Sequence, residues 1–173
     1  MTRLFARAAL GAILLAGSIA PTFAHVTFET AEASLGSTYK AVLRIPHGCS
    51  GEATNTVRVQ IPEGFYSVKP MPKAGWTLET VNGPYTGSYD DHGTAVTEGV
   101  KEIVWSGGEL LDAWYDEFVF RGTVADSLEP GPLRFPTVQE CANGQEAWID
   151  VEGAMPAPSV ELVAASGEMG HRN

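Results

Sequence analysis

Basic residues are scarce in this chain. Lys and Arg number 11 against 21 Asp and Glu, a formal charge of −10 over 173 residues. That balance excludes nucleic-acid binding by counter-ion release, and an anionic membrane surface should repel the protein. Cysteine is nearly absent, with Cys49 and Cys141 alone. Their distant positions lack the C-x-x-C spacing of a cysteine metal pair, and an even pair in an oxidising compartment reads as one disulfide. No segment keeps a 3.6-residue apolar period, so a helical bundle is excluded. No internal repeat or low-complexity block marks a domain boundary. Neither a Ser-His-Asp arrangement nor a paired-carboxylate signature is present, and the expectation is that the protein is not an enzyme.

One apolar run does exist, at the start. Ala8 to Ala20 carries no charge, follows Arg3 and Arg7, and is too short to span a bilayer. Thr22 and Ala24 are the small residues that a signal peptidase accepts. Residues 1–24 are therefore expected to be a cleaved signal peptide, placing the product in a periplasm or outside the cell with no membrane span. Cleavage after Ala24 leaves 149 residues and a charge of −12, since the segment holds two arginines and no acid. That length suits one domain, expected over residues 25–164, with 165–173 as a frayed tail.

The remainder reads as strands punctuated by 19 Gly and 11 Pro. Tyr39, Ala41, Leu43 and Ile45 share one face, with Lys40 and Arg44 on the other. Val57, Val59 and Ile61 alternate with Asn55, Arg58 and Gln60; Phe118, Phe120 and Gly122 alternate with Val119 and Arg121. Pro70-Met71-Pro72-Lys73 should cross between strands, and Asn143-Gly144 marks a hairpin. Residues 82–97 are polar and read as a loop; residues 110–115 read as room for one helical turn. Trp148, between Ala147 and Ile149, is expected to face away from the core, whereas Trp76, Trp105 and Trp114 read as core or edge aromatics. Many short strands without helices predict an all-β sandwich.

Cleavage would also make His25 the first residue, with a free α-amino group beside its imidazole. Around it stand Ala24-His25-Val26-Thr27, Pro46-His47-Gly48-Cys49, Ile61-Pro62-Glu63-Gly64 and the stretch from Val68 through Lys73 to Trp76. Further on come Trp105-Ser106-Gly107-Gly108, Asp116-Glu117-Phe118, Phe135-Pro136 with Gln139 and Cys141, and Trp148. These motifs, covering His25 to about Val151, resemble the DUF1775 or YcnI-like family of secreted bacterial proteins. The resemblance implies a cupredoxin-like, immunoglobulin-like antiparallel β-sandwich. It implies Cu(II) held by a mono-histidine brace: the amine and ring nitrogen of His25, a carboxylate, and a nearby tryptophan that maps onto Trp148. Glu52, the nearest acid after the second-strand turn, is the carboxylate of choice; Glu29, Glu117 and Asp150 compete.

Chemistry agrees with that implication. The amine and Nδ1 of an N-terminal histidine close one chelate ring, and Cu(II) heads the divalent affinity order on nitrogen and oxygen ligands. The expected role is copper homeostasis, as chaperone or store, with other copper-handling proteins as partners. Two alternatives stay open. One is a copper-dependent oxidative enzyme on the same brace, for which His47 is the available second histidine. The other is a β-sandwich interaction module without metal. His92 and His171 read as surface groups, and Met71 and Met155 as packing residues.

Overall fold

The structure, a computed structural model, describes residues 25–165. The expected signal peptide and the chain from residue 166 onward, His171 included, lie outside those residues. Twelve strands run in order: β1 (Thr27–Phe28), β2 (Glu32–Ser34), β3 (Thr38–Ile45), β4 (Thr54–Gln60), β5 (Phe65–Pro70), β6 (Thr77–Asp91), β7 (Thr94–Leu110), β8 (Asp116–Val124), β9 (Gly131–Arg134), β10 (Thr137–Glu140), β11 (Gln145–Trp148) and β12 (Ser159–Val163). The described residues contain no helix.

The strands form a four-stranded sheet, β1-β3-β8-β5, a five-stranded sheet, β11-β10-β4-β7-β6, and a small sheet, β2-β12-β9. Pairing is antiparallel except between β12 and β2. Alternation decides the faces. Tyr39, Ala41, Leu43 and Ile45 of β3 and Phe118 and Phe120 of β8 point inward and meet Val57, Val59, Ile103 and Trp105 of the second sheet. At the centre Phe135 takes the edges of Phe28 and Phe65, with centroids 5.1 and 5.3 Å away. Each such ring contributes about 2–3 kcal/mol by leaving water, plus a smaller gain from edge-to-face geometry. The Pro70–Lys73 segment crosses from the first sheet to the second, as its prolines require.

Three expectations need correction. Residues 82–97 are no loop: β6 and β7 make one hairpin of 15- and 17-residue strands that turns at His92-Gly93. Both turn residues have positive φ, 55° and 84°, the combination a tight hairpin turn needs. The hairpin looks polar because most of its distal residues are exposed, while Tyr85, Tyr89 and Val96 cluster with Tyr66 and Ala125. Residues 110–115 contain no helical turn; Leu110 ends β7, and one bond from the Trp114 N–H to the Leu111 carbonyl closes a simple turn that leaves Trp114 exposed.

Trp148 is the third correction. It is 1% exposed, whereas Ile149 is 52% exposed. Register explains this. Trp148 pairs with Thr137, which pairs with Val59 in turn, so the indole lies on the core face and Ile149 leaves the sheet.

Candidate functional site

His25 lies two residues before the start of β1. Its neighbour Val26 is buried and anchors the segment, so the imidazole itself is exposed. Its ring stands edge-on to the Trp148 indole, with centroids 5.8 Å apart and planes at 76°. The structure thus brings His25 and Trp148 together, although the indole reaches the histidine from within the core. A shallow depression of about 460 Å³ opens beside His25, floored by Phe28 and walled by Pro156, Ala157 and Pro158.

The indole direction is fixed. Trp148 Nε1–H donates to Oε1 of Gln139 at 2.7 Å. Gln139 is fully buried, and its Nε2 donates to the His47 carbonyl and to Thr54 Oγ1, both at 3.0 Å. A buried amide must find partners for both ends, and this one does so by joining β10, β11, β4 and the turn after β3. With its N–H committed to Gln139, the indole meets His25 through its ring alone. The motif containing Gln139 was visible in sequence; its role was not. Its phase with Thr137 and Cys141, both inward, is the signal that points it into the core.

The turn after β3 is a small hairpin. Cys49 and Glu52 exchange two backbone hydrogen bonds of 2.9 and 3.0 Å around Ser50 and Gly51, whose φ angles are 52° and 94°. A Cβ on Gly48 would meet the Glu52 carbonyl at 1.9 Å, so only glycine fits. Cys49 and Cys141 form the expected disulfide and tie this turn to the β10–β11 loop. His47 points its Nδ1 at the Gly48 carbonyl, 2.6 Å away, with Asp112 Oδ1 at 3.9 Å.

Each candidate carboxylate already has a partner. Glu52 accepts from the Asn143 backbone N–H at 2.9 Å and from Asn143 Nδ2 at 2.8 Å. Those bonds, the side-chain one first, hold its carboxyl below the usual range. Glu52 lines a depression beside the disulfide and the β10–β11 loop, distinct from the one His25 lines. Glu29 lies 3.1 Å and Glu117 3.7 Å from the Arg44 guanidinium. Asp150 accepts from the Met155 N–H at 3.2 Å. Among the described residues no three His, Cys, Asp or Glu side chains converge as a metal cage. A copper chelate at His25 needs no such cage: its two nitrogens would belong to one residue, and an exposed ring leaves the remaining positions to water or one recruited carboxylate. The donor set fits Cu(II) to that extent.

Comparison with known proteins places this geometry in context. A family described as a domain of unknown function, DUF1775, matches residues 25–162, beginning at His25 itself. An uncharacterised protein from Nocardia farcinica with an immunoglobulin-like fold is similar over 80% of this chain and 97% of its own, with 21% identity and a TM-score of 0.59. A putative membrane-anchored protein from Corynebacterium diphtheriae matches over 80% of this chain and 33% of its own, at 11% identity and a TM-score of 0.42. The Nocardia likeness agrees with the sandwich described above and speaks to fold alone. Comparison with curated proteins gives no match. Among the described residues no helix is long and apolar enough to cross a membrane.

Proposed function

For a chain that belongs to the DUF1775 family, we propose a role as an exported Cu(II)-binding protein whose metal is gripped by the first mature residue, His25. The carrying observation is the exposed His25 ring, standing 5.8 Å from a Trp148 that is held by Gln139.

The proposed chemistry follows from the donors. Signal-peptide cleavage supplies a free α-amine beside the His25 imidazole. Both must shed a proton to bind, so affinity falls as pH drops. Cu(II) bound there is a Lewis acid and one-electron acceptor. Trp148 excludes water from one side of the imidazole and, through Gln139, is prevented from turning. Glu52 is proposed as the third ligand on the condition that it leaves both its Asn143 bonds and the separate depression it lines. Storage or delivery of the ion, not turnover of a substrate, is the reading we favour, in a periplasm or outside the cell, with other copper-handling proteins as partners.

The test is a Cu(II) titration of exported protein whose intact mass confirms His25 as the first residue, read by electron paramagnetic resonance. One equivalent with a nitrogen-rich spectrum is expected. Acetylating the amine, or adding one residue before His25, should abolish the tight site. Unchanged affinity after either treatment would refute the proposal.

A further inference from the structure

Large apolar side chains reach the surface at few places. Among the described residues seven are exposed, and five of them fall in two short segments: Leu111, Trp114 and Tyr115 between β7 and β8, and Ile149 and Val151 after β11. Trp114 and Tyr115 are 61% and 65% exposed. Rings left in water contribute little to the fold, and apolar residues gathered on a surface among polar ones mark an interaction site.

Both segments border His25. β1 pairs Thr27 with Arg44, and β8 pairs Asp116 with Ile45. The chain just before β1, just after β3 and just before β8 therefore leaves the first sheet at one end, which places His25, His47 and Tyr115 there. The disulfide-bound turn leads into Thr54, whose partner Leu110 ends β7 at the same end of the second sheet. The other segment follows Trp148 directly. Its Asp150 bridges to Pro156, which walls the depression beside His25.

The charge carried by these segments has one sign. Residues 109–117 and 149–157 contain six acids and no Lys or Arg. Two cations reach the first segment from outside, and both are engaged: Lys73 binds Asp116 at 2.6 Å, and Arg44 sits between Glu117 and Glu29. Glu109, Asp112 and Glu152 are exposed. Among the described residues only Asp112 of these three has a titratable neighbour, the His47 ring nitrogen 3.9 Å away.

That combination selects its occupant. A second copy would bring acids against acids, and an anionic bilayer is repelled for the same reason. A protein face with an apolar centre and a rim of Lys and Arg is matched on both counts. An arginine lies favourably over an exposed indole, and Trp, Tyr and Arg dominate the binding energy of interfaces.

We propose that Leu111, Trp114, Tyr115, Ile149 and Val151 form the docking surface for a basic partner protein, which seats itself over the end of the sandwich that carries His25. The two segments supply the apolar anchors, and their acids orient the partner and speed its encounter. This deepens the copper reading and rests on it only for what passes to the docked partner; docking itself is a property of the metal-free protein.

Nitrogen-15 NMR of metal-free mature protein tests the surface, with a synthetic amphipathic peptide of lysine and leucine as the probe. Oligolysine of equal length, the same peptide with glutamate for lysine, and phosphatidylcholine vesicles are the controls. The lysine–leucine peptide should shift amides of residues 109–116 and 149–152 saturably, with an affinity that falls as salt is raised. The double variant Trp114→Ala, Tyr115→Ala should weaken it by about tenfold or more, the loss expected of two anchor residues. Both side chains are exposed, so the fold survives the change. Glu109→Gln with Asp112→Asn should also weaken the peptide and flatten its salt dependence. Shifts spread over the whole acidic surface, unchanged affinity in the Trp114→Ala, Tyr115→Ala variant, or equal binding of oligolysine or the glutamate peptide would each overturn the assignment. So would vesicle binding that depends on Trp114, or a dimer of the free protein that the same variant dissociates. A protein that docks the peptide but takes up no Cu(II) loses the copper reading alone; one that takes up Cu(II) but gives none of these shifts loses the docking surface alone.

Discussion

At the scale of single residues, Gln139 carries more of the site than any charged group. Its amide satisfies the Trp148 indole, the His47 carbonyl and Thr54. In Gln139→Leu all three lose their partner in the interior. A buried polar group without a partner costs about 1–3 kcal/mol, so a loss of about 3 kcal/mol or more is expected in urea unfolding. Trp148 emission should broaden in the same variant. Glu52 offers a test by titration. Its carboxyl is held low by the Asn143 bonds, so that interaction favours the folded state at pH above the ordinary carboxylate value. It is lost as pH falls through the lowered one. Asn143→Ala removes the side-chain bond and keeps the backbone one, so it should return the Glu52 pKa part of the way toward its ordinary value in a carbon-13 titration. The contrast between these residues shows what was readable beforehand. The disulfide was legible because only two cysteines exist, and the meeting of His25 with Trp148 because the family motifs contain both. The side on which Trp148 lies was not. Ala147, Trp148 and Ile149 are all apolar, so alternation alone gives two equal answers, and pairing with Thr137 decides between them.

Elements add a second level of control, most visible in the β6–β7 hairpin. Glu63, in the turn before β5, takes the Tyr89 hydroxyl at 2.7 Å, the Lys101 ammonium at 2.8 Å and the Thr86 N–H at 3.0 Å. Partial burial alone would raise its carboxyl pKa, but these three donors outweigh it and set it at about 2; burial and the same carboxylate push Tyr89 up to about 12. A carboxyl lowered this far stabilises the fold at pH above its ordinary value. The contribution disappears as pH falls from the ordinary 4.5 toward 2. Glu63→Gln should therefore flatten the acid-unfolding curve in that window and speed amide exchange at residues 85–97, while the core strands keep their protection. Gly108 tests the other end of the hairpin. A Cβ there would enter the Trp76 ring at 2.0 Å, so Gly108→Ala must expel an indole that packs on Phe118 at 4.9 Å. A loss of about 2 kcal/mol, in the range of overpacked cores, is expected in thermal melts. The alternating strands of the core were visible in sequence because one face is apolar and the other charged. The distal part of this hairpin, residues 82–97, was not, since its tip buries a few tyrosines against Tyr66 and shows little alternation.

Over the whole molecule, one covalent tie links the parts on which the site rests. Cys49 and Cys141 are 92 residues apart in sequence, so the bond closes most of the domain into a loop and restricts the unfolded chain. The chain-entropy estimate for a loop of that size is about 4.6 kcal/mol. Domains of this length are stable by only about 5–15 kcal/mol in total. The bond also has a local consequence. It pins the β3–β4 turn, which presents His47 and Glu52, to the loop that follows β10, two residues beyond Gln139. Reduction should therefore act twice, once on global stability and once on the wall behind His25. In the double variant Cys49→Ser, Cys141→Ser, the melting temperature should fall by about 10 °C or more, at about 2–4 °C per kcal/mol. If the second effect is real, the variant should also bind Cu(II) with a changed electron paramagnetic resonance spectrum well below its melting temperature, where it is still folded. A lower melting temperature with an unchanged spectrum would mean that the bond stabilises the sandwich without shaping the proposed copper site, and that β10 and β11 hold Trp148 through Gln139 unaided.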